Sequence, residues 1–297
     1  MRTLQALLIS MRPHQWVKNL VFFTALVFGG RLENLHDVAA VLVGFVIFCL
    51  ISSAVYLLND VQDRALDRQH PDKRRRPIAS GQLRAATAVQ ASAALTAGAL
   101  ALAFFFPVLD PTVRGFGFGI TLVAYYLLNL AYTRFFKEQA ILDVLSISIG
   151  FILRIMAGGF LIDVVISHWA ILCTFFLALF LALAKRRHEL YLHPEGEVAH
   201  RPVLKEYHPI LVDQMLTVVL AATIVAYAIY TMSGRVGETR LYYSLVFVVY
   251  GLFRYLYLIH RHDQGGDPTR TLVADWPILI TIGLWGITVI WALYFGG

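Results

Sequence analysis

The chain has 297 residues, of which 58% are hydrophobic and only 15% charged. Soluble proteins are about a quarter charged, so this composition excludes an ordinary soluble domain and indicates an integral membrane protein. The net charge of +6 does not point to nucleic acid, because the cations collect on one membrane face. Cys49 and Cys173 both lie inside apolar runs, which excludes a disulfide framework and a zinc site.

A helix needs about 20 mostly apolar residues to cross the hydrocarbon core. Nine segments approach that length, at 13–30, 37–59, 85–106, 112–133, 140–162, 168–185, 209–232, 241–259 and 275–295. The predicted fold class is therefore all-α: a polytopic bundle of nine transmembrane helices, read as one integral-membrane domain over residues 1–297. The opening MRTLQALLISMRPHQW has no small-residue cleavage pattern and is not a signal peptide. Residues 1–11 are expected to lie along the interface as a short amphipathic helix. Lys18 and Asn19 fall in the early turns of the first span. Lys18 either snorkels to the inner surface or reaches a ligand.

The second span runs into NDVQDRALDRQHPDKRRRP, residues 59–77. Asn59, Asp63 and Asp67 are four apart, and Asp60, Asp63 and Asp67 fall at i, i+3 and i+7. If the helix continues past the membrane, these groups share one face. Three carboxylates so close repel one another unless a cation sits among them. Magnesium suits the set, being held by one or two carboxylates while substrate phosphates fill its other positions. Lys73 to Arg76 then supply charge for the outer phosphate oxygens. A topology anchor explains the cations alone, but it has no use for three aspartates, since acidic residues contribute little to orientation.

In the fourth span, Gly115 and Gly119 favour close helix packing over nucleotide binding. The fifth carries Asp143 and Arg154, 11 residues apart, which on a helix means nearly the same face but about 16 Å along the axis. They are too far apart to pair directly. Charges within a span are costly, so each needs another partner, and a charged substrate is one candidate. Lys137, with Tyr132 and Arg134, closes the loop before this span.

The sixth span ends in LALAKRRHELYLHPEGE, where Lys185, Arg186 and Arg187 are followed by Glu189 and a turn at His193-Pro194. His188, His193, His200 and His208 show no metal-ligand spacing and read as solvated. Arg254 reads as a snorkelling residue, and Trp16, Trp169, Tyr242, Tyr243, Trp276, Trp291 and Tyr294 as interfacial belts. With the N-terminus inside, 20 of the 25 cations fall on inner segments and 4 on outer loops. That bias puts the N-terminus in the cytoplasm and the C-terminus outside. The long inner loops 60–84 and 186–208 occupy matching places four helices apart. They are expected to cap a cytoplasmic active site.

NDVQDRALD fits the N-D-x-x-D-x-x-x-D motif, and the chain as a whole resembles the UbiA superfamily of intramembrane prenyltransferases, with nine helices and long cytoplasmic loops after the second and sixth. The resemblance implies that Asn59, Asp60, Asp63 and Asp67 bind Mg2+ and a diphosphate, and that Tyr132 and Lys137 help hold that diphosphate. Typical members carry a second aspartate-rich motif after helix six. Here AKRRHEL stands in its place, so this half of the site is expected to take an anion directly through Lys185 and Arg186, near Glu189.

The strings RPHQWVKN, HPDKRRRPIASG, YTRFFKEQAILD and AKRRHEL resemble one branch of the superfamily. Its members transfer 5-phosphoribose from phosphoribosyl pyrophosphate (PRPP) to a polyprenyl (decaprenyl) phosphate, for cell-wall arabinose donors. The implied activity is a Mg2+-dependent phosphoribosyltransferase of the plasma membrane. Asp63 and Asp67 with Asn59 and Asp60 would hold the metal, and Lys73 and Arg76 would assist the leaving pyrophosphate. Asp143 would serve the ribose. Lys18, Lys137, Arg154, Lys185 and Arg186 would grip the other phosphates, while the isoprenoid tail lies among membrane lipids. The oligomeric state is left open. A conventional prenyltransferase with an aromatic acceptor is the first rival, and the missing second aspartate motif counts against it. An anionic-lipid transporter is the second, and it has little need of the first motif.

Overall fold

The structure is a computed structural model that describes residues 2–71, 73–109, 115–192, 202–233, 240–261 and 268–296. Among these all regular structure is helical. In chain order the α-helices are α1 (Arg2–Met11), α2 (Thr24–Phe28), α3 (Leu35–Gln62), α4 (Arg64–Gln69), α5 (Pro77–Ser80), α6 (Ala85–Leu109) and α7 (Gly115–Arg134). They continue with α8 (Leu142–Leu161), α9 (His168–Leu192), α10 (Pro209–Met232), α11 (Leu245–Arg261), α12 (Pro268–Ala274) and α13 (Trp276–Tyr294). Among the described residues eight helical stretches are long and apolar enough to cross a membrane: α3, α6, α7, α8, α9, α10, Arg240–Arg261 and α13. The chain is thus a multi-pass membrane protein.

The segment expected as the first span winds differently. Pro13–Phe23 is a 3-10 helix, followed by the single α turn of α2. The cause is a side-chain ladder with a period of three, which the three residues per turn of a 3-10 helix bring onto one face. Trp16 Nε1 donates to Ser53 Oγ at 3.0 Å, and Asn19 Nδ2 donates to Ser52 Oγ at 3.2 Å and to Cys49 Sγ at 3.3 Å. Phe22 packs with its ring centroid 6.0 Å from that of Phe48. A 3.6-residue winding would turn one of the three away from α3.

Two other boundaries move. Helix α3 opens on Asn34, whose side chain accepts from the amides of His36 and Asp37, and runs to Gln62, a turn beyond the expected limit. Helix α9 continues through Lys185, Arg186 and Glu189 to Leu192 instead of ending at residue 185. No glycine or proline interrupts KRRHELYL, so nothing stops the winding there. The expected turn at His193-Pro194, with His200, lies outside the described residues. The inner segment 60–84 also folds, as α4, a 3-10 turn at Lys73–Arg75, and α5.

The chain divides into two compact units, Met1–Lys137 with Leu153–Val165, and Glu138–Ile152 with Ile166–Gly297. In the first, α3 packs against the 3-10 helix, α6 and α7. Ala6 of α1 is buried with Leu57, Ile78, Leu83 and Ala88, while Leu4, Leu8 and Ile9 of α1 stay exposed. A methyl group at Gly119 would strike Phe104 of α6, so the small residue does serve packing; Gly117 does the same against Phe160. In the second unit α9, α10 and α11 bury a core that includes Phe180, Leu183, Leu216, Tyr255 and Ile278.

Candidate functional site

The aspartate motif is built where α3 stops. Asp63 caps α3, and its amide still bonds the Asn59 carbonyl at 2.9 Å; the amide of Asp67 bonds the Asp63 carbonyl at 2.8 Å. The turn keeps the three carboxylates within reach of one end of the first unit. Asp60 and Asp67 are buried, at 3% and 4% exposure, and buried carboxylates need partners. Arg76 supplies one. Its Nη1 lies 3.1 Å from Asp60 Oδ1 and 2.7 Å from Asp67 Oδ2. Arg12 also bonds Asp60 Oδ1, with its guanidinium carbon 5.2 Å from the Tyr56 ring centroid.

Asp63 faces elsewhere. Lys137 Nζ reaches its Oδ1 at 2.6 Å. Lys137 is delivered by the end of α7, which is pinned to α3 twice: Thr133 Oγ1 bonds Asn59 Oδ1, and Gln62 Nε2 donates to the Thr133 carbonyl at 3.2 Å. A 3-10 turn at Phe136–Glu138 then swings Lys137 across. Asp60 and Asp67 converge on Arg76, and Asp63 has its own lysine.

Among the described residues no three His, Cys, Asp or Glu side chains stand close enough together to enclose a metal unaided. A hard cation does not require three. Mg2+ usually takes one or two carboxylates and completes its octahedron with phosphate oxygens and water. Asp60 Oδ1 and Asp67 Oδ2 already bond a single guanidinium nitrogen. They are no farther apart than those two bonds laid end to end. The pair suits a divalent cation by donor type, with Asn59 and Asp63 beside it in the sequence.

Deeper in the same unit, Arg154 is 6% exposed. Its Nε donates to Asn19 Oδ1 at 2.8 Å and its Nη2 to the Tyr125 hydroxyl at 2.9 Å, with its guanidinium carbon 4.8 Å from the Tyr125 ring centroid. Arg154 therefore ties α8 to α7 and to the 3-10 helix.

The second unit holds a separate polar cluster. Asp143 is fully buried, and its Oδ2 lies 3.1 Å from Arg186 Nε at ion-pair distance, though out of line for a hydrogen bond. Arg186 also bonds Glu189 within α9. The other Asp143 oxygen accepts from the Tyr207 hydroxyl at 2.7 Å, and that hydroxyl accepts from the Ile141 amide at 2.7 Å. Ile141 has φ 70°, a conformation that costs a β-branched residue about 1–3 kcal/mol. Tyr207, and Glu206 bonding the Ala140 amide at 3.3 Å, hold that turn in place. Burial, and then the bond to Asp143, push the Tyr207 phenol above its ordinary range.

Lys18 lies half-buried on the 3-10 helix, Lys73 half-buried in its own 3-10 turn, Tyr132 half-buried on α7 and Lys185 half-buried on α9. Arg254, read as snorkelling, is paired with an acid. Its Nη2 is 2.9 Å from Asp275 Oδ2, and Asp275 also caps α13 by accepting from the Ile278 amide at 3.0 Å. Sequence reasoning missed Arg12, Thr133, Tyr207 and Asp275. Only Asp275, an acid directly before WPILI, carried a readable signal, that of a helix N-cap.

A sequence model of the UbiA prenyltransferase family matches residues 20–276. Over 96% of its length the chain is 31% identical to a decaprenyl-phosphate phosphoribosyltransferase of Corynebacterium glutamicum, covering 86% of that protein. It is 30% identical over 97% of its length to the Mycobacterium tuberculosis protein of the same name, covering 94% of it. Among solved structures, a UbiA homologue from Archaeoglobus fulgidus bound to GPP and Mg2+ superposes with a TM-score of 0.72 at 18% identity. That match covers 96% of this chain and 99% of the other, and is a likeness of fold.

Proposed function

The chain belongs to the UbiA prenyltransferase family, and from that premise we propose that it transfers 5-phosphoribose from PRPP to a polyprenyl phosphate such as decaprenyl phosphate, releasing pyrophosphate. The relatives of that name, aligned over nearly the whole chain, support this choice over prenyl transfer. The observation that carries it is the cluster of Asp60, Asp63 and Asp67 laced with Arg12, Arg76 and Lys137. Acids in such a cluster suit a divalent cation, and bases suit the diphosphate that the cation accompanies.

The bond from the ribose anomeric carbon to pyrophosphate breaks, and an oxygen of the lipid phosphate forms the new one. The nucleophile is already anionic, so no general base is needed. Asp60 and Asp67 with Asn59 and Asp63 would hold Mg2+, which when bound neutralises charge on the departing diphosphate. Arg76 and Lys73 take outer oxygens of the same group. Lys18, Tyr132, Lys137, Arg154 and Lys185 are assigned to the remaining phosphates. Asp143 is assigned to the ribose hydroxyls, with Arg186 and Tyr207 holding its carboxylate and Glu189 holding Arg186. The product serves cell-wall arabinan precursors.

The nine-span topology belongs to the same reading. The 11 residues of the 3-10 helix and 5 of α2 reach about 30 Å together, because a 3-10 helix rises 2.0 Å per residue. That equals the hydrocarbon thickness. Nine spans and the cation bias of 20 to 4 set the N-terminus and the site in the cytoplasm and the C-terminus outside, and the whole chain acts as one catalytic domain. Release of pyrophosphate from PRPP that requires both polyprenyl phosphate and Mg2+ tests the reading. Release only from a prenyl diphosphate with an aromatic acceptor would replace it with prenyl transfer.

A further inference from the structure

We propose that Arg12 is a placeholder cation: it competes with the divalent metal for the Asp60 carboxylate and, once displaced, binds the diphosphate that enters with the metal. The inference rests on the metal-dependent reading above and assigns within it a residue that the aspartate motif does not contain. Four observations carry it. Arg12 and Arg76 both engage the same oxygen, Asp60 Oδ1. A metal bound through that oxygen takes the position of one guanidinium nitrogen, since two cations cannot share one lone-pair direction at bonding distance. Arg76 is the less replaceable of the two, because it also bonds Asp67 and lies on the short segment that leads into α5.

Arg12 is built to move. Its guanidinium stacks on Tyr56, one helical turn before Asp60 on α3. An aromatic face gives a cation a second favourable position with no fixed hydrogen-bond geometry, so the side chain can slide off the carboxylate without losing all of its contacts. At 22% side-chain exposure it has room to turn outward, as Arg76 has at 29%, so the stacking and the second bond of Arg76, not exposure, choose between them. The backbone of Arg12 does not move with it. Arg12 sits in the left-handed region, φ 55° and ψ 59°, between α1 and Pro13. Ala6 of α1 is packed against Leu57 and Ile78, which fixes where the side chain begins. A fixed root with a movable fork suits a ligand carrying both a metal and phosphates, because the fork can exchange a carboxylate for a phosphate bidentately.

The competition predicts opposite signs for two affinities, which a merely structural arginine would not give. Mn2+ serves as the probe, with free ion followed by electron paramagnetic resonance on the purified full-length chain, so no turnover is needed. Arg12→Gln is expected to bind Mn2+ on the order of tenfold more tightly than wild type without PRPP, and PRPP on the order of tenfold more weakly at saturating Mn2+. Arg12→Lys keeps the charge but loses the fork, and should shift both affinities in the same directions by less. Unchanged or weaker Mn2+ binding by Arg12→Gln, in protein that melts like wild type, overturns the proposal. If Arg12→Gln melts early, Arg12→Lys decides in its place, and no shift in either affinity overturns the proposal. If wild type binds no Mn2+ with or without PRPP, the metal-dependent reading fails and this inference falls with it, a result distinct from wild type binding Mn2+ and the variants matching it.

Discussion

The Arg186 guanidinium stands 3.1 Å from the Asp143 carboxylate, joining α9 to the first turn of α8 with both side chains shut off from solvent. Breaking such a pair strands the partner's charge at a cost of about 3–5 kcal/mol. Asp143→Ala and Arg186→Ala are each expected to lower the melting temperature sharply in detergent. Asp143→Leu with Arg186→Leu should cost much less than the two single losses together. Additive losses would mean that the two groups are not coupled.

Tyr207 gives a pH dependence of known sign. The fold favours the neutral phenol, so its pKa in the folded protein lies above the ordinary value of about 10. Its contribution to stability is complete below that ordinary value and is lost as pH rises from there through the folded pKa. In an alkaline titration of tyrosinate absorbance, wild type minus Tyr207→Phe should show one phenol ionising late. A difference centred on the ordinary range would show that the phenol is neither buried nor bonded to Asp143.

The sequence carried the helices and the aspartate motif because both are local signals. Apolar length marks a span, and a spacing of three or four marks a helix face. It could not carry the partners. Arg12 and Asp60 are far apart in sequence, as are Lys137 and Asp63, and only the packing of α1 and α7 against α3 makes them neighbours. Asp143 and Arg154 lie too far apart along one helix to pair, and their partners, Arg186 and Tyr207 for one, Asn19 and Tyr125 for the other, come from distant sequence. The 3-10 winding of 13–23 was also out of reach, because it is set by Ser52, Ser53 and Phe48 on another helix.

Asp63 and Lys137 should separate stability from chemistry. Their ion pair is partly exposed, at 30% and 14%, and such pairs contribute about 0–1 kcal/mol. Neither Asp63→Ala nor Lys137→Ala is expected to unfold the protein. Asp63→Ala should lower kcat by about 10²–10³-fold, the scale of losing one preorganised charge-stabilising group, whereas Lys137→Ala should act mainly through KM for PRPP. A full loss of folded protein in either variant would place the pair in the framework instead.

Asp275 has a purely structural assignment. Asp275→Ala removes the cap of α13 and the partner of Arg254, a loss of about 1–2 kcal/mol. Asp275→Asn keeps the cap and should recover part of that stability. The midpoint of thermal unfolding reads both, with transferase activity per folded molecule unchanged.

The central claim is tested most directly by incubating the purified chain with Mg2+, ribose-labelled PRPP and decaprenyl phosphate, then following label into the organic phase. The account expects a labelled lipid that is lost on chelation with EDTA and on Asp63→Ala. Folded protein that leaves all label in water across polyprenyl phosphates of several lengths would contradict it.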